Sequence, residues 1–334
     1  MYQPLFWNDC LHTTFTIRTA KNALETAANE ESAVIEKARG FIDVLRIELG
    51  GQINFKAVSV RFSMTNTPFR LSEIWIYPVK SLGGIRLKES PALERGLQYD
   101  RRWMVVDDKG VFITQRIHPV LASVDVAIGE EGVRLSNHAD SSDSTLIPFT
   151  SHDSIPIEVK VWNDVVTARK VCCEAADWLS RKLGTSVSIV EMTESTSRKI
   201  DPRYARLGSE VSFADDLPYL LISEASLTDL NSRLDQEVGM DRFRPNFVIS
   251  GTHPFAEDDW KSIRIGEVEF QLVKPCERCV VININPETGI KAREPLRTLA
   301  TYRRVKNHIL FGQNLVVLNT GTVYEGDTIT LSQP

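Results

Sequence analysis

The chain has 334 residues, of which 42% are hydrophobic and 25% charged, and its formal net charge is -5 at pH 7. That balance fits an ordinary globular protein and argues against a general nucleic-acid binder, and no run of about 18 apolar residues marks a membrane span. Five cysteines, a low and odd count, point to free thiols in a reducing compartment, most simply the cytoplasm, and the N-terminus lacks the basic-then-apolar pattern of a secretory signal.

Residues 1–63 carry one helical stretch, in which Ile35, Ala38, Ile42, Leu45 and Leu49 share a face before Gly50-Gly51. Two readings stay open for this segment: an amphipathic helix packed on or frayed from the body, or an extension upstream of the functional protein, with Met64 as the native start. From Phe69 the pattern is strand-rich. Phe69 to Tyr77 stops at Pro78 and leads into the loop Val79-Lys80-Ser81-Leu82-Gly83-Gly84. Arg102 to Val106 and Val111 to Thr114 read as a hairpin around Asp107-Asp108-Lys109-Gly110. Val124 to Ile128 pairs with Val133 to Leu135, and Ser136 to Ser144, rich in Ser and Asp, reads as an exposed loop. Short strands with regular turns suggest a small antiparallel barrel.

Further on, Ile155 to Val161 alternates as a strand, and Val171 to Leu183 is a helix ended by Gly184. Cys172 and Cys173 lie about 100° apart on that helix, a poor chelate, and read as packing residues. Thr193 to Asp201 reads as a mobile polar connection. Ser223 is an N-cap ahead of Leu227, Leu230 and Leu234, and Pro245 holds the chain extended so that Arg244 and Asn246 are fixed in direction. Lys274 to Ile284 places Cys276 and Cys279 between two strands, the second being the β-branched run Val280 to Ile284, and a short helix begins near Pro295.

The chemistry concentrates on a few positions. Lys80 and Ser81, in a glycine-containing loop after a strand, could hold a phosphate or could be solvated. Of the adjacent Arg101 and Arg102, at most one points into a given site. Six scattered histidines form no spaced metal pair, and Cys276-x-x-Cys279 has no second C-x-x-C to complete a structural zinc site. A strand follows the pair, whereas thioredoxin-like chemistry wants a helix N-terminus. A thiolate there can be a soft metal ligand, a redox thiol or a nucleophile.

Seven motifs in order then carry a resemblance: Tyr77-Pro78-Val79-Lys80-Ser81, Asp100-Arg101-Arg102-Trp103, Ser223-Glu224-Ala225-Ser226, Arg242-Phe243-Arg244-Pro245-Asn246, Arg278-Cys279, Asn285-Pro286-Glu287-Thr288-Gly289 and Phe311-Gly312-Gln313. From Phe69 onward the chain resembles the MOSC-domain proteins with an N-terminal MOSC barrel, among them the mitochondrial amidoxime reducing component and its bacterial relatives. The resemblance implies a β-rich α+β fold, with an N-terminal MOSC β-barrel domain over 69–190 and a MOSC domain over 191–334. It also implies a molybdenum cofactor with Cys279 as metal ligand and catalytic residue. Lys80, Ser81, Arg101, Arg244 and Asn246 match cofactor-binding positions, with Arg278 and Ser223 as further candidates, and Cys276 matches a non-ligand position. The implied activity is reduction of small N-hydroxylated compounds, with electrons from a separate flavin, haem or iron–sulfur donor protein. The alternative is a cofactor or sulfur carrier module, since MOSC domains also end the molybdenum-cofactor sulfurases.

Overall fold

Strand alternation in the second half of the chain closes into a seven-stranded barrel. Its staves run Tyr219–Ser223, Phe247–Ser250, Phe69–Ile76, Thr328–Leu331, Ser262–Ile265, Val268–Glu277 and His308–Val317, which pairs back onto Tyr219–Ser223. Tyr219–Ser223 and Phe247–Ser250 are parallel, and the other neighbours antiparallel. Closure leaves no free sheet edge among these seven strands. Inward residues fill the barrel: Leu71, Ile74 and Ile76 from the first stave meet Leu221, Ile249, Ile263, Phe270 and Leu315. Tyr219, Phe247 and Phe270 pack ring against ring, with centroids 5.1 to 5.5 Å apart. A computed structural model describes residues 68–150, 155–171, 173–204 and 209–331, all within one compact unit, Thr67–Pro334. Residues 1–63 and Cys172 lie outside the described residues.

The first stave lies far in sequence from the other six. Its neighbours are Phe247–Ser250, through Ile74 opposite Phe247, and Thr328–Leu331, through Phe69 opposite Ile329. The chain between Ile76 and Tyr219 lays Ile85–Leu87 against Ile74–Ile76 and otherwise builds separate sheets. One has four strands in the order Trp103–Val106, Ser188–Glu191, Asp164–Val171, Ile155–Val161. Another is the meander Val124–Ile128, Gly132–Asn137, Asp140–Pro148. The helix Glu174–Leu183 sets Ala175, Trp178 and Leu179 into the core that Val105, Ile189, Leu135 and Ile147 share. Gly184 ends that helix with φ 67°, a left-handed position that glycine takes without strain. On the other face of the four-stranded sheet, Met104, Val106, Val161 and Val190 pack with Phe213. All four residues of Trp103–Val106 are therefore buried.

Several expectations need correction. The helix read from Val171 begins at Glu174, with Val171 ending the strand Asp164–Val171 and Cys173 as the N-cap. Arg244, before Pro245, is left-handed rather than extended. Ser136 to Ser144 is not an irregular loop: Ser136 pairs with Ser144 and Leu135 with Thr145 in the meander. Its composition signalled exposure, and the tip is exposed, but the backbone satisfies itself across the hairpin. Val280 to Ile284 is not a strand. Val280–Asn283 is a 3-10 turn, with Ile282 N–H donating to the Cys279 carbonyl at 3.3 Å and Ile284 N–H to the Val281 carbonyl at 3.1 Å. Ile282 and Ile284 are apolar because they are buried. Thr193 to Asp201 is not loose either. Thr196, Arg198 and Ile200 are buried, and the Arg198 guanidinium donates to the Ser212 carbonyl at 2.9 Å and pairs with Asp164 at 2.8 Å.

Candidate active site

A cleft of about 370 Å³ opens between the end of the barrel and the loops of the other sheets. From the barrel side, Val268–Glu277 carries two register shifts, between Leu272 and Lys274 and between Pro275 and Glu277. Such bulges bend a strand and re-aim its side chains. Lys274, Cys276 and Glu277 thereby line the cleft, and the chain turns so that Arg278 and Cys279 follow them into it. Lys80, Ser81, Arg101, Arg244 and Asn246 line the same cleft. Sequence positions spread over both halves are thus brought together.

The backbone here is unusual. Seven described non-glycine residues have positive φ, and four of them, Ser81 (71°), Arg101 (49°), Trp162 (57°) and Arg244 (55°), line this cleft. Each such residue costs on the order of 1–3 kcal/mol and persists only where its surroundings hold it. Arg244 takes that conformation as the residue ending the 3-10 turn Met240–Phe243, just before Pro245. Strain concentrated in one concave place is a functional signal, because it aims side chains that relaxed backbone would point elsewhere.

The cations are held by specific partners. Arg101 donates from Nη1 to both Asp100 oxygens, at 2.7 and 2.6 Å, and from Nη2 to the Arg244 carbonyl at 3.2 Å. Asp100 is fully buried and also accepts the Tyr77 N–H at 2.8 Å. Arg244 donates to the Leu82 carbonyl at 2.7 Å. The Arg101 and Arg244 guanidiniums both stack on the Tyr77 ring, 4.3 and 4.1 Å from its centre. Burial, together with the neighbouring Arg101 charge, brings Arg244 down to about 10. Lys80 donates to the Phe213 carbonyl at 2.7 Å and pairs with Asp215. Burial lowers the Lys80 ammonium to about 8 despite that carboxylate. For Asp215, burial pushes the carboxyl up, but Lys80 and Arg116 outweigh it and hold it well below the usual carboxylate range.

The two cysteines differ. Cys276 packs partly against the Leu220, Ile222 and Phe243 cluster and receives an Arg278 Nη1 contact at 3.0 Å. Cys279 starts the Val280–Asn283 turn as a free, half-buried thiol, with Arg116 Nη2 3.4 Å from its sulfur. Among the described residues no three His, Cys, Asp or Glu side chains gather as a metal cage. Arg278 donates from Nη2 to the Phe243 carbonyl at 2.6 Å, while its buried Nε has no partner in the protein.

Seven of the eight site residues expected from the sequence line the cleft, and others that line it were missed. Ser223 does not line it. Its hydroxyl accepts the Ser226 N–H at 3.1 Å and caps the helix Glu224–Asn231, behind the barrel wall. Asn246 lines the cleft, but its amide is already bonded to the Leu220 N–H and the Trp75 carbonyl, tying three staves together. Arg102 turns away to the Met192 carbonyl and Glu194, leaving Arg101 as the inward member of the pair. Arg116 and Asp215 were missed. The only signal for Arg116 is a cation shortly after a short strand; for Asp215 it is the doubled acid after Phe213-Ala214.

With this geometry in hand, two family matches cover the chain. The MOSC N-terminal beta barrel domain matches residues 68–186 and the MOSC domain residues 208–330. Mitochondrial amidoxime-reducing component 1 of Mus musculus is 35% identical over 280 residues, covering 78% of this chain and 82% of that protein. The chain belongs to the MOSC-domain proteins. A further relative in this MOSC group is mitochondrial amidoxime-reducing component 1 of Homo sapiens, 33% identical over 287 residues and covering 78% of this chain and 82% of that protein. Molybdenum cofactor sulfurase of Oryza sativa subsp. japonica is 35% identical over 283 residues, covering 78% of this MOSC chain but 34% of the sulfurase. This chain therefore spans the smaller part of that relative. No described helix is long and apolar enough to cross a membrane.

Proposed function

We propose that the chain is a molybdenum-cofactor-dependent reductase of small N-hydroxylated compounds. The observation that carries it is a free thiol, Cys279, at one side of a cleft walled by Lys80, Arg101, Arg116, Arg244 and Arg278. The donor set fits a pterin cofactor with a phosphate tail. Cations in strained, hydrogen-bonded loops suit an anion, and the unpartnered buried Arg278 Nε is a donor waiting for an acceptor. With no cage of protein ligands among the described residues, a metal here would be held by Cys279 and by ligands of its own. When bound, such a cofactor supplies a two-electron centre at which an N–O bond can be reduced.

The chain's own part is to bind, orient and screen. Cys279 would hold the metal. Arg101 and Arg244, fixed on Tyr77, would present planar forks to phosphate or pterin oxygens, and Lys80 would add a point charge that exists below about pH 8. Ser81 would offer its hydroxyl beside Lys80, and Asn246 would keep the staves beneath them in register. Asp215 balances Lys80 and Arg116 when the cleft holds no anion. The overall reaction is N–OH plus two electrons and two protons giving N–H plus water, so two electrons must arrive from a separate donor protein.

A second reading, a carrier module for the cofactor or for sulfur, rests on the likeness to the sulfurases. One experiment separates the two. The protein is expressed in a host that makes the cofactor, molybdenum and pterin are quantified, and reduction of benzamidoxime is followed with a reduced viologen as donor. Near-stoichiometric metal with turnover supports the reductase, metal without turnover supports the carrier, and no retained metal removes both.

A further inference from the structure

Arg116 is held from several sides. The chain turns sharply after it, because the Ile117 and His118 N–H groups both donate to the Thr114 carbonyl, at 3.1 and 2.9 Å. Lys291 Nζ fastens the Arg116 carbonyl at 2.8 Å. The guanidinium lies over the Trp162 ring, 4.6 Å from its centre. Trp162 lines the cleft from a left-handed position, φ 57°, which only firm surroundings keep. Its indole Nε1 donates to Asp215 Oδ1 at 3.3 Å, and Asp215 Oδ2 lies 3.5 Å from Arg116 Nη2. Behind them the buried Arg198 joins the two supports. It donates to the Ser212 and Ala214 carbonyls, just before Asp215, and pairs with Asp164, two residues after Trp162.

What this scaffold presents is Nη2, 3.4 Å from the Cys279 sulfur. The two cysteines of the cleft differ in how they meet their arginines. Cys276 is met by Arg278, two residues away, which spends its other terminal nitrogen on the Phe243 carbonyl. Cys279 is met across the cleft, by a residue 163 positions away in sequence. Asp215 already has Lys80 and the Trp162 indole as partners, so balancing its charge does not require Arg116 to reach this sulfur. A donor and a positive charge beside a metal-bound thiolate draw electron density from the sulfur and favour the electron-richer state of the metal, which raises its reduction potential.

We propose that Arg116 is a positioning residue for the Cys279 sulfur, that it sets the reduction potential of the metal this sulfur binds, and that Trp162 is the surface that keeps it in place. The proposal rests on the reductase reading above and adds how this chain adjusts the electron affinity of the centre. Each electron accepted there oxidises the donor by one electron and adds one negative charge beside the sulfur. A fixed cation at that place stabilises the added charge, so a weaker reductant suffices. Removing the cation makes the same reduction harder.

The test uses holoenzyme. The midpoint potential of the bound molybdenum is measured by redox titration followed by electron paramagnetic resonance, with molybdenum and pterin quantified in the same samples. The variants are Arg116→Gln, Arg116→Lys and Trp162→Leu. Arg116→Gln is expected to keep most of the cofactor and to weaken the one-electron reduction about tenfold in its equilibrium constant, about 59 mV. Arg116→Lys keeps the charge and should recover part of that shift. Trp162→Leu changes no charge, yet it should lower the potential by a smaller amount, because Arg116 loses the ring it lies on. Potentials unchanged in Arg116→Gln and Trp162→Leu, with molybdenum retained, would overturn the proposal and leave the reductase reading standing. Loss of the cofactor from Arg116→Gln would make Arg116 an anchor for it rather than a partner of the sulfur, and would overturn the proposal too. Wild-type protein that retains no molybdenum overturns the proposal and the reductase reading together.

Discussion

The two walls of the cleft are built differently. The barrel wall is a closed ring of seven staves, and it carries Cys276, Arg278 and Cys279 on or just after a bulged strand. Lys80, Ser81, Arg101 and Arg116 on the opposite wall stand in loops, two of them at left-handed positions. A closed ring fixes one sulfur in place, which suits a metal bond with a single demanded geometry. On the proposed reading, several loop-borne cations would share one diffuse job, gripping an anion, in which each is partly replaceable. Losses should therefore be all-or-none on the barrel wall and graded on the other.

The sharpest break in that contrast is Cys279→Ala, expected to reduce molybdenum content and amidoxime reduction to background while Cys276→Ala keeps most of both. The reverse result would reassign the ligand. Next comes Arg244→Ala, which removes a buried fork worth on the order of 1.5–3 kcal/mol to a charged partner, so pterin retained per protein should drop by about tenfold or more. Arg244→Lys should rescue little, since an ammonium neither forks nor stacks flat on Tyr77. This can be read by fluorescence of the released, oxidised pterin.

A smaller, graded effect follows from Lys80. Its folded-state value is lowered to about 8 from an ordinary 10.5, so the unfolded chain holds more protons between those values. Its contribution to folding stability therefore rises with pH across that window, while the charge needed for anion binding is lost as pH rises through about 8. Inorganic phosphate affinity of the cofactor-free protein should fall several-fold from pH 7 to 9, and Lys80→Arg should flatten the profile. The smallest effect is that of Ser223→Ala. Loss of its cap should cost about 1 kcal/mol in urea unfolding and leave turnover per bound metal unchanged. A large activity loss there would mean that Ser223 acts on the site through the helix it caps.

Much of this was legible in the sequence. The aromatic and β-branched run Phe69 to Tyr77 and the alternation in Val268 to Leu272 marked staves, the final segment held one stave, Thr328–Leu331, and one strand of another sheet, and Lys80, Arg101, Arg244 and Cys279 do meet in one cleft. Closure was not legible, because alternation says which face is apolar and not which strand lies alongside. β-branched residues at Val280 to Ile284 imitated a strand, since propensity cannot tell a pleat from a buried tight turn. Arg116 and Asp215 escaped for a related reason. Each matters through a partner distant in sequence, Cys279 for one and Lys80 for the other.

The barrel's membership also bears on how the protein comes into being. Phe69–Ile76 leaves the ribosome long before its neighbours Phe247–Ser250 and Thr328–Leu331 have been made. Until then its only strand partner is the short Ile85–Leu87 beside Ile74–Ile76, which leaves most of its edges bare, the kind of segment that recruits chaperones or sticks to a second nascent copy. The intervening sheets can fold while it waits, but the barrel beside the cleft cannot close until Thr328–Leu331 arrives. A polypeptide cut short before Thr328 should therefore fail to complete the barrel that carries one wall of the cleft.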